Sequence, residues 1–457
     1  MGIENWELNI DQIPFLLFMT KSSMDTASSK VMRTGIGLDF GTTNSSIAVA
    51  RPDRSSEAVL FSSGTGKTET YRSVLYFEPK SPASTGPAAI ERYLAADEKG
   101  RLIQSLKSFL ASRLFTSTNV FGRQYTLEDL ITIILRDLRT QAEAQIGSNS
   151  GSDSAPIVVG RPVRYSNANS EADNEFALGR LKKSIEKAGF GPVIFEYEPV
   201  AAAYFYESTL DHDELIMIGD FGGGTSDFSL LRVGPSARRN RAVNGGILGN
   251  EGVALAGDAF DARIVRNLVS PALGRGSQFH SVDKILPMPT WVYSDLERWH
   301  YLSFLKSNDT LQMLRSIESH SLEPKKISAL LHVVESDLGF NLHQSVQATK
   351  SALSSEMSTR FLFEDYSVRV EAAVKRSAFE LWIKDELRKI RDCVDRLLQG
   401  TGVDAASIDR VFLTGGSSLV PVVRRIFEER FGGDKISSGS EFTSVARGLA
   451  LRALEDE

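Results

Sequence analysis

The chain has 457 residues, 42% apolar and 24% charged, an ordinary globular balance at a length that suits two to four domains. A net charge of −6 argues against strong attraction to nucleic acid. The single cysteine, Cys393, excludes an intrachain disulfide and a cysteine zinc cage, and it suits a reducing, cytoplasmic compartment.

The apolar run I-P-F-L-L-F-M (13–19) falls short of the ~20 residues that span a bilayer. The acidic segment before it lacks the positive charge of a signal peptide, and Trp6 stands where a myristoylation signal needs Ser or Thr. Residues 1–33 therefore read as a disordered extension, with Met24 and Met32 as alternative starts. Strands are expected over 35–50, 57–61 and 72–77. G-T-G-K-T (64–68) invites a phosphate-loop reading, but Phe61 stands where that motif needs its first glycine, and β-like sequence follows where it needs a helix. A hairpin turn fits better. Helical periodicity covers 89–113 and 126–146, and G-S-N-S-G-S-D-S-A-P (147–156) reads as a flexible loop.

Next come the strand P-I-V-V-G-R-P, a helix over 172–188, a strand at 193–197 leading into E-P-V-A-A-A-Y, and the strand E-L-I-M-I-G-D. Residues 260–376 are expected to be mostly helical, and Ser377 with Glu380 to form a capping box for a long helix over 377–398. The strand R-V-F-L-T, the turn G-G-S-S and the helix V-P-V-V-R-R-I-F close the pattern. The alternation of strands and helices gives an α/β class with mixed sheets.

Two stretches share one plan: G-L-D-F-G-T-T-N-S-S-I-A-V-A (37–50) and G-D-F-G-G-G-T-S-D-F-S-L-L (219–231). Each runs strand, Asp-Phe-Gly, small hydroxyl residues, strand. Glycines let backbone N–H groups come close to an anion. Thr42, Thr43 and Thr225 offer hydroxyls to phosphate oxygens, and Asp39 and Asp220 can hold water on a hard cation such as Mg²⁺. Recurrence in both halves points to a duplicated architecture.

These two stretches, with E-P-V-A-A-A-Y between them and V-F-L-T-G-G-S-S-L-V-P after them, resemble in that order the nucleotide-binding domain of the DnaK-type heat-shock chaperones, within the actin-like ATPase superfamily. The resemblance covers roughly 34–455 and is strongest to the stand-alone, YegD-like members. It implies a duplicated ribonuclease H-like, actin-like fold of two lobes, each with a core and a peripheral subdomain. Lobe I would be 34–212, with its periphery at about 73–154. Lobe II would be 213–457, with its periphery at about 257–376 and a C-terminal helix returning to lobe I.

Position by position, the resemblance places Asp39, Gly41, Thr42, Thr43 and Asn44 in the first phosphate motif and Asp220, Gly222, Gly223, Gly224 and Thr225 in the second. Asp227 matches an acid near a monovalent cation, K⁺, and Glu198 the carboxylate near Mg²⁺ and the attacking water. Lys107 matches the lysine approaching the γ-phosphate. Gly415, Gly416 and Ser417 match the adenosine motif, Lys350 and Ser354 a helix against ribose and adenine, and Asp258 an acid near the sugar. Read alone, Lys107 is a solvated lysine on an amphipathic helix and Glu198 a turn residue.

The pattern departs from the family in three places. Ser351 and Leu419 stand where two arginines commonly sandwich the adenine, so weaker ATP binding or a changed base preference is expected. A-G-D-A-F-D (256–261) replaces a loop richer in glycine and acid. The stretch between Asp261 and Gln347 is longer than the family's and contains P-M-P-T-W-V-Y and W-H-Y-L-S-F-L, whose aromatics read first as core mass. The chain stops where a peptide-binding domain would follow in those chaperones. The expected function is a slowly hydrolysing, Mg-ATP-binding, chaperone-like protein without such a domain, using ATP/ADP and Mg²⁺ and serving a client or co-chaperone, with no nucleic-acid or membrane partner. The alternatives are an actin-like phosphotransferase and a non-catalytic nucleotide-binding scaffold.

Overall fold

Alternating apolar residues in G-I-G-L-D and N-S-S-I-A-V-A form the strands Gly35–Asp39 (β1) and Asn44–Ala50 (β2), an antiparallel hairpin in which Leu38 pairs with Ile47 and Asp39 with Ser46. Ser56–Ala58 (β3) extends it antiparallel to β2. Ile157–Arg161 (β4) joins β1 in parallel, and Val193–Tyr197 (β5) joins β4 in parallel. The plan then repeats. Glu214–Phe221 (β6), Ser226–Val233 (β7) and Ile247–Val253 (β8) form an antiparallel meander. Arg410–Thr414 (β9) lies parallel to β6, and Ile436–Ser438 (β10) parallel to β9. The sheet orders are β5-β4-β1-β2-β3 and β10-β9-β6-β7-β8, so each sheet runs fifth, fourth, first, second, third. The repeated turn in the sequence belongs to a repeated sheet. The computed structural model describes residues 34–455 except 64–65, 97–99, 147–155, 208–209, 245, 299–300, 302–304 and 439–443. The extension expected over 1–33 and nearly all of the loop expected over 147–156 lie outside the described residues.

The first half contributes helices Gly86–Ala95 (α1), Leu127–Ile146 (α2), Glu171–Lys187 (α3) and Glu198–Glu207 (α4). The second contributes Gly257–Ile264 (α5), Gly339–Ser355 (α6), Lys384–Thr401 (α7) and Ser444–Arg452 (α8). Leu130, Ile134 and Leu138 of α2 and Leu181 and Ile185 of α3 cover the first sheet's core. A second core lies around β6, β7, β9 and α7, and Cys393 of α7 is buried in it. Between the sheets, Val200, Ala201 and Tyr204 of α4 and Val445 and Leu449 of α8 pack with Val158 of β4 and Ile216 and Ile218 of β6. This contact is unusually close: a Cβ on Gly37 would overlap Ala446 O and Ala450 N, and one on Gly448 would overlap Ala201 O. Only glycine lets these backbones meet.

Three expectations are corrected. The helix expected over 89–113 ends at Ala95; Arg101–Gln104 is a strand paired antiparallel with Val74–Phe77, and Leu106–Phe109 is a single 3₁₀ turn. Ser105, at φ 55°, breaks the helical path, so Lys107 sits in a buried turn rather than on a solvated helix. The stretch 260–376 holds two hairpins, Gln278–Ser281 with Lys284–Pro287 and Ser358–Asp365 with Val368–Lys375. In the second, Phe361 and Phe363 are buried and alternate with outward-facing Arg360, Leu362 and Glu364. Finally, Ser377 makes no capping box: Arg376–Trp382 is a separate short helix with Lys375 at its N-cap and no side-chain cap bond, and the chain bends at Ile383 before α7 begins. G-T-G-K-T does lie in a hairpin, Phe61–Ser63 against Gly66–Thr68.

Candidate functional site

The two acidic glycine turns meet in a cleft of about 430 Å³. Its walls include Asp39 and Gly41 to Ser46 from the first hairpin, Asp220 to Gly223 and Thr225 from the second, and residues of α4, α5 and α6 and of the β9 exit. A Cβ on Gly223 would lie 3.2 Å from Thr43 Oγ1 and 3.5 Å from Thr42 Cβ, so this glycine holds the second turn against the hydroxyls of the first. Gly223 O also accepts from Asp258 N at 2.8 Å, which docks the start of α5 on the same turn. Gly415 has φ +81°, and a Cβ there would overlap Phe221 O, so the β9 exit needs glycine to pass behind β6. A Cβ on Gly257 would lie 2.9 Å from Ser417 Oγ, which brings the 256–258 turn and the 415–417 turn together.

Asp39, Lys107, Glu198 and Asp220 crowd one part of the cleft, and Asp227 lies just behind its wall. Lys107 Nζ donates to Glu198 Oε1 at 2.7 Å, with both residues buried. Thr414 Oγ1 donates to Asp220 Oδ1 at 2.7 Å from the neighbouring strand. Burial, then the charges of Glu198 and Asp220, push Asp39 up to about 8 against the pull of Lys107. Burial and the Glu198 charge push Asp220 up to about 6, opposed by the Thr414 hydroxyl and Lys107. Burial and the same two carboxylates hold Asp227 well above the usual carboxylate range. Burial alone would lower Lys107, but Glu198 and Asp39 outweigh it and hold the ammonium above its ordinary value.

The donor set is therefore acids short of positive charge. Among the described residues no three His, Cys, Asp or Glu side chains close on one point as direct ligands. The oxygens of Asp39, Asp220 and Glu198 instead suit a hard cation held through its own waters, as Mg²⁺ is on a phosphate chain. Asp227 stands behind the cleft wall, accepting at Oδ1 from Val163 N (2.9 Å) and Arg164 N (3.3 Å). Its Oδ2 is buried with no hydrogen-bond partner among the described residues.

Of the residues singled out in the sequence, Asp39, Gly41, Thr42, Thr43, Asn44, Lys107, Glu198, Asp220, Gly222, Gly223, Thr225 and Asp258 all line this cleft. Lys350, Ser354, Gly415, Gly416 and Ser417 line it too, as do Ser351 and Leu419. Gly224 is not on the wall but backs onto Ser166 and Ser108. Lys350 is committed to an ion pair with Asp261 Oδ1 at 2.8 Å. Gln347, Lys350, Ser351 and Ser354 form one face of α6 at helical spacing. His343, one turn earlier, is buried; burial, then the charges of Lys350 and Arg72, push it down to about 3. Arg72, Tyr165, Ser166 and Gln347 also line the cleft, although nothing in the sequence reading marked them as site residues. Arg72 lay hidden in a strand and Tyr165 in a polar loop. Gln347 alone had a usable signal, its i, i+3, i+7 spacing to Lys350 and Ser354.

Comparison with known proteins gives the same outline. The family model described as "Hsp70 protein" matches residues 35–277 and 332–454. The unmatched stretch, 278–331, begins with the Gln278–Pro287 hairpin and lies within the interval that the sequence marked as enlarged. The chain is 25% identical over 419 residues to the "Chaperone protein DnaK" of Thermosipho africanus, covering 92% of this chain and 58% of that one. Its likeness to the DnaK of Thermotoga petrophila is also 25% over 419 residues, covering 92% and 59%. For Deinococcus proteolyticus DnaK it is 25% over 448 residues, again covering 92% and 59%. The chain thus spans about three fifths of the length of these curated relatives. With the family model covering most of its length and the two turns set in their two sheets, the chain belongs to the Hsp70 family.

Proposed function

We propose that the cleft binds Mg-ATP and hydrolyses it slowly to ADP and phosphate, and that the protein works as a chaperone-like or regulatory partner to another protein. The fold would be the actin-like one, with lobes at 34–212 and 213–457 that close on the nucleotide about a hinge. The observation that carries this reading is the seating of Gly223 against Thr42 and Thr43, which brings two turns from two sheets together in an arrangement suited to a phosphate chain.

Phosphoryl transfer to water needs an in-line water, offset charge and positioning rather than covalent help. Bound Mg²⁺ supplies neutralising charge on the phosphates. Asp39, Asp220 and Glu198 would hold it through water, and Asp227 with its spare oxygen would suit a monovalent cation such as K⁺. The Thr42, Thr43 and Thr225 hydroxyls donate to phosphate oxygens. Glu198 is fixed by Lys107 at 2.7 Å, and its carboxylate orients the attacking water while the lysine offsets charge developing on the γ-phosphoryl. Ser351 and Leu419 face the base end, where they leave the ring without guanidinium stacking.

Mg-ATP turnover measured as phosphate release tests the proposal. Wild type should release phosphate without any acceptor, and Lys107→Ala and Thr225→Ala should each lower the rate by ~100-fold, the cost of removing a charge-stabilising donor. Equal rates in all three would overturn the assignment.

A further inference from the structure

Three cations line the cleft: Arg72, Lys107 and Lys350. Two are already neutralised, Lys107 by Glu198 at 2.7 Å and Lys350 by Asp261 at 2.8 Å. Arg72 makes no ion pair among the described residues. Among those residues its one side-chain hydrogen bond runs from Nη1 to the neutral Asn44 Oδ1, at 3.2 Å. Burial lowers its pKa, with no acidic neighbour to offset the effect. A half-buried guanidinium without a counter-charge is costly, so this arrangement suits an anion supplied from outside.

The backbone fixes where that charge stands. The strand Tyr71–Arg72 pairs antiparallel with the start of β2, with Arg72 opposite Asn44, and Ser73 N donates to Thr43 O at 2.9 Å. Arg72 is therefore tied to the exit of the first glycine turn. It also lines a small recess beside that turn together with Thr42, Thr43 and Gln104. Its charge reaches His343 at the start of α6, at the opposite end of that helix from Ser354, which lies toward the base end. This is the phosphate end of the cleft. A guanidinium has five N–H donors in a planar fork, and Asn44 occupies one.

We propose that Arg72 binds the terminal phosphate of the bound nucleotide and makes the cleft prefer a nucleoside triphosphate over a diphosphate. The inference rests on the nucleotide reading above. It adds an ATP-sensing contact separate from Lys107, in the short strand paired with the start of β2.

The test is calorimetric titration of the full chain with Mg-ATP and, separately, Mg-ADP, for wild type, Arg72→Gln and Arg72→Lys, with thermal melts to verify folding. Loss of a charge-assisted contact should weaken ATP binding by ~10–100-fold in Arg72→Gln and leave ADP binding within about threefold. Arg72→Lys should fall between, because it keeps the charge and loses the fork. Equal weakening of ATP and ADP would make Arg72 a structural strut and overturn the inference, as would unchanged binding of both. A wild-type chain that binds neither nucleotide would instead overturn the nucleotide reading itself.

Discussion

Asp39 bears a large part of the site's electrostatic cost. Its carboxyl ionises at about 8 in the fold against an ordinary 3.8, because burial and two neighbouring carboxylates outweigh Lys107. Between those values the folded chain holds a proton that the unfolded chain has lost, so this contribution to stability is complete below pH 4 and disappears as pH rises through 8. The free protein should therefore lose stability as pH rises across that window, and Asp39→Asn should flatten the loss. Urea unfolding at pH 5 and pH 8 would check this: the difference should be clear in wild type and smaller in the variant. A ligand that brings Mg²⁺ should discharge the same cost by releasing the proton. The acid, glycine and threonine positions were legible from the sequence because their chemistry is carried by residue type. The Lys107–Glu198 pair was legible only through family likeness, since 91 residues separate the two and no local pattern joins them. The place of Arg72 in the cleft was not legible at all, because it comes from the pairing of a two-residue strand with the start of β2.

At the scale of elements, glycines decide how closely the halves approach. Gly37 of β1 lies against Ala446 and Ala450 of α8, and Gly448 of α8 lies against Ala201 of α4. A side chain at either glycine must push two backbones apart. Gly37→Ala should destabilise the chain by about 1–3 kcal/mol, the usual cost of overpacking a filled contact, measurable as a lower urea midpoint with an unchanged slope. The strands of both sheets were readable because their apolar runs are bounded by turn residues. The hairpin Ser358–Lys375 is not legible in the sequence, because Leu362 between Phe361 and Phe363 blurs the strand period and the hairpin sits between the helix-forming stretches 339–355 and 376–401. The break at Ile383 had no sequence signal: no glycine or proline marks it, and the bend follows from packing the Arg376–Trp382 helix against α5.

At the scale of the molecule, the first and second halves also touch beyond the cleft. Tyr93 of α1 donates to Asp337 O at 2.6 Å, and its ring meets Phe340 of α6 edge to face at 5.6 Å. Tyr301, from the stretch outside the family match, lies 5.7 Å from Phe109, two residues past Lys107. These contacts tie the structure around α6 to the first half, so movement of one half against the other would be felt at the cleft. The account as a whole stands on the two turns forming one phosphate site. The most direct measurement is a calorimetric Mg-ATP titration of wild type beside Gly223→Val, whose side chain would fill the space held against Thr42 and Thr43. The account predicts one-to-one binding by wild type, weaker than micromolar because Ser351 and Leu419 give the base no stacking partner, and no measurable binding by the variant. No binding by wild type, or equal binding by both, would contradict it.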